Sequence, residues 1–208
     1  MIARLRLLYG SLLDCWKHGL KDHFRRCTAA FFLLALIFFG LGMCFPEVQN
    51  KFFGMVSSAM DNVDAITEDG SISPMALFAN NVSACGFIMI YGFLPFVKLS
   101  ALALSTNAMV LGTTAVWYVQ NDVSLLTLLA GLLPHGLVEL PALFLAISMS
   151  LYICEHLSRR CRRDKTAYGP WACVVLMARM HVLVLLPLLL VASLLEAYVT
   201  PLVMAFFL

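Results

Sequence analysis

The chain has 208 residues, 62% of them hydrophobic and only 12% charged, with a mean hydropathy of +0.89. That balance excludes an ordinary soluble domain, because so much apolar surface exceeds what one core can bury and must be solvated by lipid. A formal net charge of +2, from 14 basic and 12 acidic residues, is too small to argue for a nucleic-acid partner, so the charges matter through their distribution.

Residues 1–26 place Arg4, Arg6, Lys17, Lys21 and Arg25 around a semi-apolar stretch, Leu5 to Leu13. The stretch is too short to span and has no small-residue cleavage pattern. It reads as a cytoplasmic amphipathic helix using Leu5, Leu8, Leu12 and Leu13, rather than a cleaved leader. The transmembrane domain, residues 27–208, opens with the uninterrupted run Cys27 to Phe45, which Pro46 and Glu47 close. At about 1.5 Å per residue, roughly twenty residues cross the hydrocarbon, so this is a span.

A polar extracytoplasmic segment follows at residues 47–80, containing Lys51, Asp61, Asp64, Glu68 and Asp69. Within it Phe52, Phe53, Met55, Val56, Met60 and Val63 predict an interfacial helix ending before the Asp69-Gly70 turn. The apolar stretch Val82 to Val119 is interrupted by Pro95 and Lys98, which predicts two helices, Val82 to Val97 and Leu99 to Val119. The first is short. Little tilt, a preceding interfacial segment, or a half-helix shielded from lipid would each accommodate it.

The block Leu125 to Cys154 contains Pro134-His135-Gly136, which predicts a kinked helix or a reentrant half followed by a spanning half. A basic cytoplasmic loop, residues 156–180, leads to a last span from Val182 to the C-terminus, with Pro187 and Pro201 inside it. Six basic residues precede the first span, Lys98 marks one turn, six more lie between residues 159 and 179, and Lys51 alone falls on the other side. The 13 to 1 split predicts five crossings with the N-terminus inside and the C-terminus outside. The fold class is therefore an all-α polytopic membrane protein of about five transmembrane helices, some short or broken. Arg159, Arg160, Arg162 and Arg163 read as a topology anchor on anionic lipid, and Trp16, Trp117 and Trp171 as depth anchors.

Seven cysteines form no CxxC pair and read mainly as small hydrophobes. Cys44 and Cys85 both fall near the outer face, where a disulfide is permitted but not specified. Cys154, His156 and Cys161 are close in sequence, but that spacing does not define convergent ligands; no metal or other cofactor is assigned.

Charged groups near a bilayer centre cost about 3 kcal/mol each on insertion scales, so their positions are informative. Glu139 and Glu196 each lie about fourteen residues into an apolar block, and Asn107 is near the middle of the third span. His135 precedes Glu139 by four residues and Thr200 follows Glu196 by four, which puts each pair on one helix face wherever the helix continues. Asn107, His135, Glu139, Glu196 and Thr200 thus form a predicted intramembrane polar cluster. One reading is a hydrogen-bonded brace between broken helices; the other is a proton relay or polar substrate site, with a proton shared between Glu139 and Glu196 if they approach. His135 and Glu139 lack the second His of an HExxH helix and would need Glu196 or another residue to complete a metal site. Ser83, Ser100, Ser105 and Ser193 have no arrangement that specifies a base and an oxyanion site, so no catalytic residue is assigned and no enzyme activity is expected.

Three segments, Phe78-Ala-Asn-Asn-Val82, Leu133-Pro-His-Gly-Leu-Val-Glu-Leu-Pro-Ala142 and Leu195-Glu-Ala-Tyr-Val-Thr-Pro201, together resemble the stage II sporulation protein M family of bacterial and archaeal integral membrane proteins. The order matches over approximately residues 27–208. The resemblance implies motif residues Asn80, at the start of the second span, Pro134, His135, Gly136, Glu139, Glu196, Thr200 and Pro201. It also implies an Asn-Gly pair in the third span, where this chain has Asn107-Ala108 and so lacks the glycine's flexibility while retaining the Asn hydrogen-bonding groups.

The founding member of that family works with two other membrane-associated proteins, one a cell-wall hydrolase, during engulfment in a sporulating cell; many relatives occur in organisms that never sporulate. The resemblance implies a non-enzymatic scaffold in the cytoplasmic membrane of a bacterium or archaeon, recruiting or organising a protein partner in or outside the membrane, as in cell-wall remodelling. The competing expectation is a small transporter or channel for a polar or lipid-linked substrate. Membrane lipids and a second copy of the chain are the other expected partners. A cavity that reaches the cluster from one side and is occluded on the other favours transport, and a solid, fully bonded polar knot favours assembly.

Overall fold

In lipid an extended run of backbone has no water to bond, so each N–H and C=O must be satisfied inside a helix. The computed structural model describes residues 2–61 and 73–207, with side chains at 9–58 and 73–207, and the described residues contain helices and no strand. Helix α1 (Ile2–Cys15) leads through a kink at Trp16–Leu20 into α2 (Lys21–Cys44), and α3 (Pro46–Asp61) follows at once. Helix α4 (Pro74–Ile90) ends in a 3₁₀ turn, Tyr91–Phe93, before α5 (Ser100–Gln120) and α6 (Leu125–Cys161). A final rod comprises α7 (Pro170–Met180), α8 (Leu186–Leu194) and α9 (Thr200–Met204), joined by π-turns at His181–Leu185 and Leu195–Val199. Five helical stretches are long and apolar enough to cross a membrane: Tyr9–Cys44, Pro74–Phe93, Ser100–Gln120, Leu125–Cys161 and Pro170–Met204. The protein is an all-α, multi-pass membrane protein.

Local chemistry sets the helix ends. Ser73 caps α4 by accepting from the Ala76 amide at 3.3 Å, with Pro74 in the first turn, where its missing N–H costs nothing. Ser124 caps α6 through the Leu126 amide at 3.2 Å, and Gly169 precedes Pro170 at the start of α7. The kink before α2 depends on Gly19, whose φ of 126° is disfavoured for residues with a side chain.

Helix α6 stands at the centre, touching α2, α4, α5, α8 and α9. Its second half is gripped on nearly all sides, with Ala142, Ala146, Ile147, Met149 and Ile153 buried. Small residues bring the neighbours in: a Cβ on Gly92 would lie 2.9 Å from the Ser150 Cα, and one on Gly112 would lie 2.6 Å from the Ala35 carbonyl oxygen. Phe31 and Phe144 meet edge to face at 5.0 Å between centroids. At one end α3 folds back onto α2 and α5, where buried Gln49 donates to the Thr113 carbonyl at 2.9 Å and Phe53 stacks on Trp117 at 5.9 Å. At the other end His23 meets Glu155 at 3.1 Å, the Phe96 amide donates to Ser158 Oγ at 2.8 Å, and the Arg162 guanidinium lies 5.4 Å from the Phe96 ring.

Several boundaries differ from the sequence expectations. The second span begins at Pro74 rather than Val82, so it is not short, and Asn80 lies within the helix instead of at its start. Residues 74–80 are thus helical and continuous with the apolar run, because the Ser73 cap and Pro74 start a helix that the two Asn residues do not stop. Helix α6 is assigned as one helix through Pro134 and Pro141, with no reentrant half. The last rod begins at Pro170, twelve residues before Val182, and the turn ahead of it is correspondingly shorter than residues 156–180. Arg179 is accommodated there because it donates to Ser11 Oγ on α1 at 2.7 Å. The expected Asp69-Gly70 turn lies outside the described residues, as do the side chains of Leu5, Leu8, Met60 and Val63. Cys44 and Cys85 are both free thiols, the first exposed and the second buried.

Candidate functional site

Two helices build the site from opposite sides. On α6, His135 and Glu139 stand one turn apart, and because the helix continues through Gly136 both line the same cavity. On the last rod, Glu196 sits in the π-turn Leu195–Val199. Pro201 favours that wide turn: it has no N–H to offer, and in a regular α-turn its ring would strike the carbonyl four residues back. The Leu195 carbonyl is taken up by the Thr200 hydroxyl, which donates to it at 3.2 Å.

Thr200 Oγ1 also meets His135 Nδ1 at 3.2 Å, so that ring nitrogen is hydrogen-bonded. Nε2 is the ring nitrogen that Thr200 does not engage. One ligand atom each from His135, Glu139 and Glu196 lie within 4.8 Å of one another, and all three residues are half-buried. Among the described residues neither carboxylate accepts a hydrogen bond. Two acceptors thus stand beside an imidazole whose Nε2 makes no hydrogen bond among the described residues.

The cavity has a volume of about 390 Å³ and lies between α5, α6, Phe31 of α2 and Met204 of α9. Along α6 it runs from Leu128 to Leu140, about 18 Å of helix rise. Tyr118, Leu128 and Met204 line its end nearest the 121–124 turn; Glu139 and the exposed Asn107 line the other. Beyond Leu140 the helix is packed, with Ala142 and Phe144 buried, so the cavity does not continue into the other half of the bundle.

A sequence profile described as Stage II sporulation protein M matches residues 28–201, a stretch that contains the cluster and closes on Pro201. The chain belongs to the stage II sporulation protein M family. No curated protein and no solved structure gives a significant match. The stage II sporulation protein M family is not known as a family of enzymes.

Within this family member the motif residues separate into two groups. His135, Glu139, Glu196 and Thr200 converge, with Pro134, buried Gly136 and Pro201 shaping the helices that carry them. Asn107 lines the cavity and donates to its own helix at the Ala103 carbonyl, 2.8 Å away. Asn80 is exposed on α4 and does not line the cavity. Glu196 and Thr200, four residues apart across the π-turn, both lie against His135.

Cys154, His156 and Cys161 do not form a ligand set. The Cys154 thiol points at the Leu94 carbonyl, 3.4 Å away, His156 Nδ1 accepts from the Tyr168 amide at 3.2 Å, and Cys161 is exposed. Sequence reasoning missed Thr114 and Tyr118 in the cavity wall, and the ring cluster of Tyr152, His156 and Tyr168 at the opposite end. The four-residue spacing of Tyr152 and His156 on one helix was the available signal for the second.

Proposed function

We propose that this stage II sporulation protein M family member binds a small polar or charged solute within the bilayer, as a membrane transporter or channel does. The observation that carries the reading is the cavity of about 390 Å³ that reaches His135 and Glu139 from one half of the bundle while the other half is packed. His135, Glu139 and Asn107 supply the polar contacts, and Val110, Leu111 and Leu132 supply an apolar wall. A brace would spend its polar groups on one another, yet Glu139 and Glu196 accept no hydrogen bond among the described residues. Partner recruitment, the role that the resemblance implies, is compatible with the same architecture; the open carboxylates weigh for solute binding.

The test is side-specific labelling in a chain whose native cysteines are replaced by alanine. A membrane-impermeant maleimide should reach Thr114→Cys, in the cavity wall, from one side of the membrane, and should fail to reach Ser148→Cys, in the packed half, from either. No labelling of Thr114→Cys from either side would return the cluster to a structural brace.

A further inference from the structure

We infer that His135, Glu139 and Glu196 are the protein ligands of a divalent transition-metal ion of the manganese-to-zinc series, which is then the charged solute of the cavity; this rests on the solute-binding reading above. Metal–ligand bonds of about 2.1 Å place neighbouring tetrahedral ligands about 3.4 Å apart. The three ligand atoms lie within 4.8 Å of one another, so small side-chain rotations bring them onto one ion. One imidazole nitrogen with two carboxylates is a mixed donor set. It suits manganese, iron, cobalt and zinc better than calcium or magnesium, which prefer all-oxygen surroundings.

Charge argues the same way. Two carboxylates without hydrogen-bond donors repel each other in a low-dielectric setting, and a dication neutralises both at once. The outer contacts suit a metal-binding histidine: Thr200 Oγ1, itself 3.2 Å from the Leu195 carbonyl, occupies Nδ1 and leaves Nε2 free to ligate, and an ion on Nε2 would set the proton on Nδ1, donated to Thr200. Three protein ligands leave a coordination position for water or an exchanging group, and the cavity beside His135 and Glu139 supplies the access that position needs.

The experiment is a Co²⁺ titration of the chelator-stripped, full-length protein in lipid nanodiscs, with exposed Cys44 and Cys161 changed to alanine to remove thiolate binding. One Co²⁺ per chain is expected, with visible bands of a nitrogen and oxygen ligand set and no thiolate charge-transfer band, displaced by Zn²⁺ but not by excess Mg²⁺. His135→Gln, Glu139→Gln and Glu196→Gln should each weaken binding by about tenfold or more, and Thr200→Val, which keeps every ligand, by about 10–100-fold. His18→Gln, at an exposed histidine remote in sequence from the site, should leave the titration unchanged. Thr200→Val also covers the case in which a ligand variant fails to fold.

Absence of binding, or binding indifferent to all four site substitutions, overturns the metal assignment. So does an infrared band of a protonated carboxyl that disappears in Glu139→Gln and is insensitive to Zn²⁺, which makes a proton the occupant. The maleimide experiment separates the two levels: a labelled Thr114→Cys without metal binding removes the ion and leaves a cavity for another solute, and an unlabelled one without metal binding removes both.

Discussion

Asp164 shows how a single carboxylate shapes the turn between α6 and α7. It accepts from the Thr166 hydroxyl at 2.6 Å and amide at 2.9 Å, and from Arg159 Nε at 2.9 Å. The Thr166 hydroxyl first, then Arg159 and the Thr166 amide, hold its carboxyl well below the usual carboxylate range, at about 2. A depressed folded value means that the ionised form is the one the fold prefers. The contribution is therefore complete above the unfolded value of about 4 and disappears as pH falls from there through the folded value. Amide exchange at Thr166, corrected for intrinsic rate, should be unchanged from neutral pH down to about 5 and rise below about 4. Asp164→Asn should show the fast exchange already at neutral pH; identical protection in the variant would remove Asp164 as the organiser of the turn. At the same turn, burial pushes the Tyr168 phenol up, so this ring stays neutral over the whole range.

At the scale of elements, close helix contact is the feature most exposed to test. Gly92 approaches the Ser150 backbone of α6, and a backbone atom cannot swing aside as a side chain can. Gly92→Ala should therefore force the end of α4 away from α6 and cost about 1–3 kcal/mol, read as a lower melting temperature in detergent. Gly40→Ala, where nothing lies within 4 Å, should hold or raise it. The apolar runs of these helices were legible in the sequence because a membrane span is a long stretch with few charges. Their ends were not. Pro74 and Pro170 start helices well ahead of the apolar runs, and Arg179 reads as loop until its bond to Ser11 is seen. The pairing of His135 with Glu139 was legible as a four-residue spacing on a continuing helix. The particular bond from Thr200 to His135 Nδ1 was not, because the π-turn that carries Glu196 and Thr200 is not written in the residue spacing. Gln49 reaching the Thr113 carbonyl was equally hidden, since nothing local to α3 names a partner on α5.

At the scale of the molecule, the turns at residues 94–99 and 162–169 share one end with His23 and Glu155, while α3 and the 121–124 turn share the other. The basic residues Lys98, Arg159, Arg160, Arg162, Arg163 and Lys165 thereby gather at a single end, and we expect that end to face the cytoplasm. A reporter enzyme active only outside the membrane should work when fused after Leu208 and fail when inserted in the 162–169 turn. The opposite pattern would invert the topology and turn the cavity end inward. Helix α6 joins these ends, and its 37 residues rise about 55 Å. Pro134 and Pro141 each deprive it of an N–H, so the carbonyls of Ala130 and Leu137 lose their usual partners, while the stretch after Ala142 is clamped by neighbours. Mechanically it is a beam fixed over one half and notched in the other. Such a beam bends at its notches, the turns 130–134 and 137–141, so a bend there would move His135 and Glu139 relative to Glu196 on the last rod.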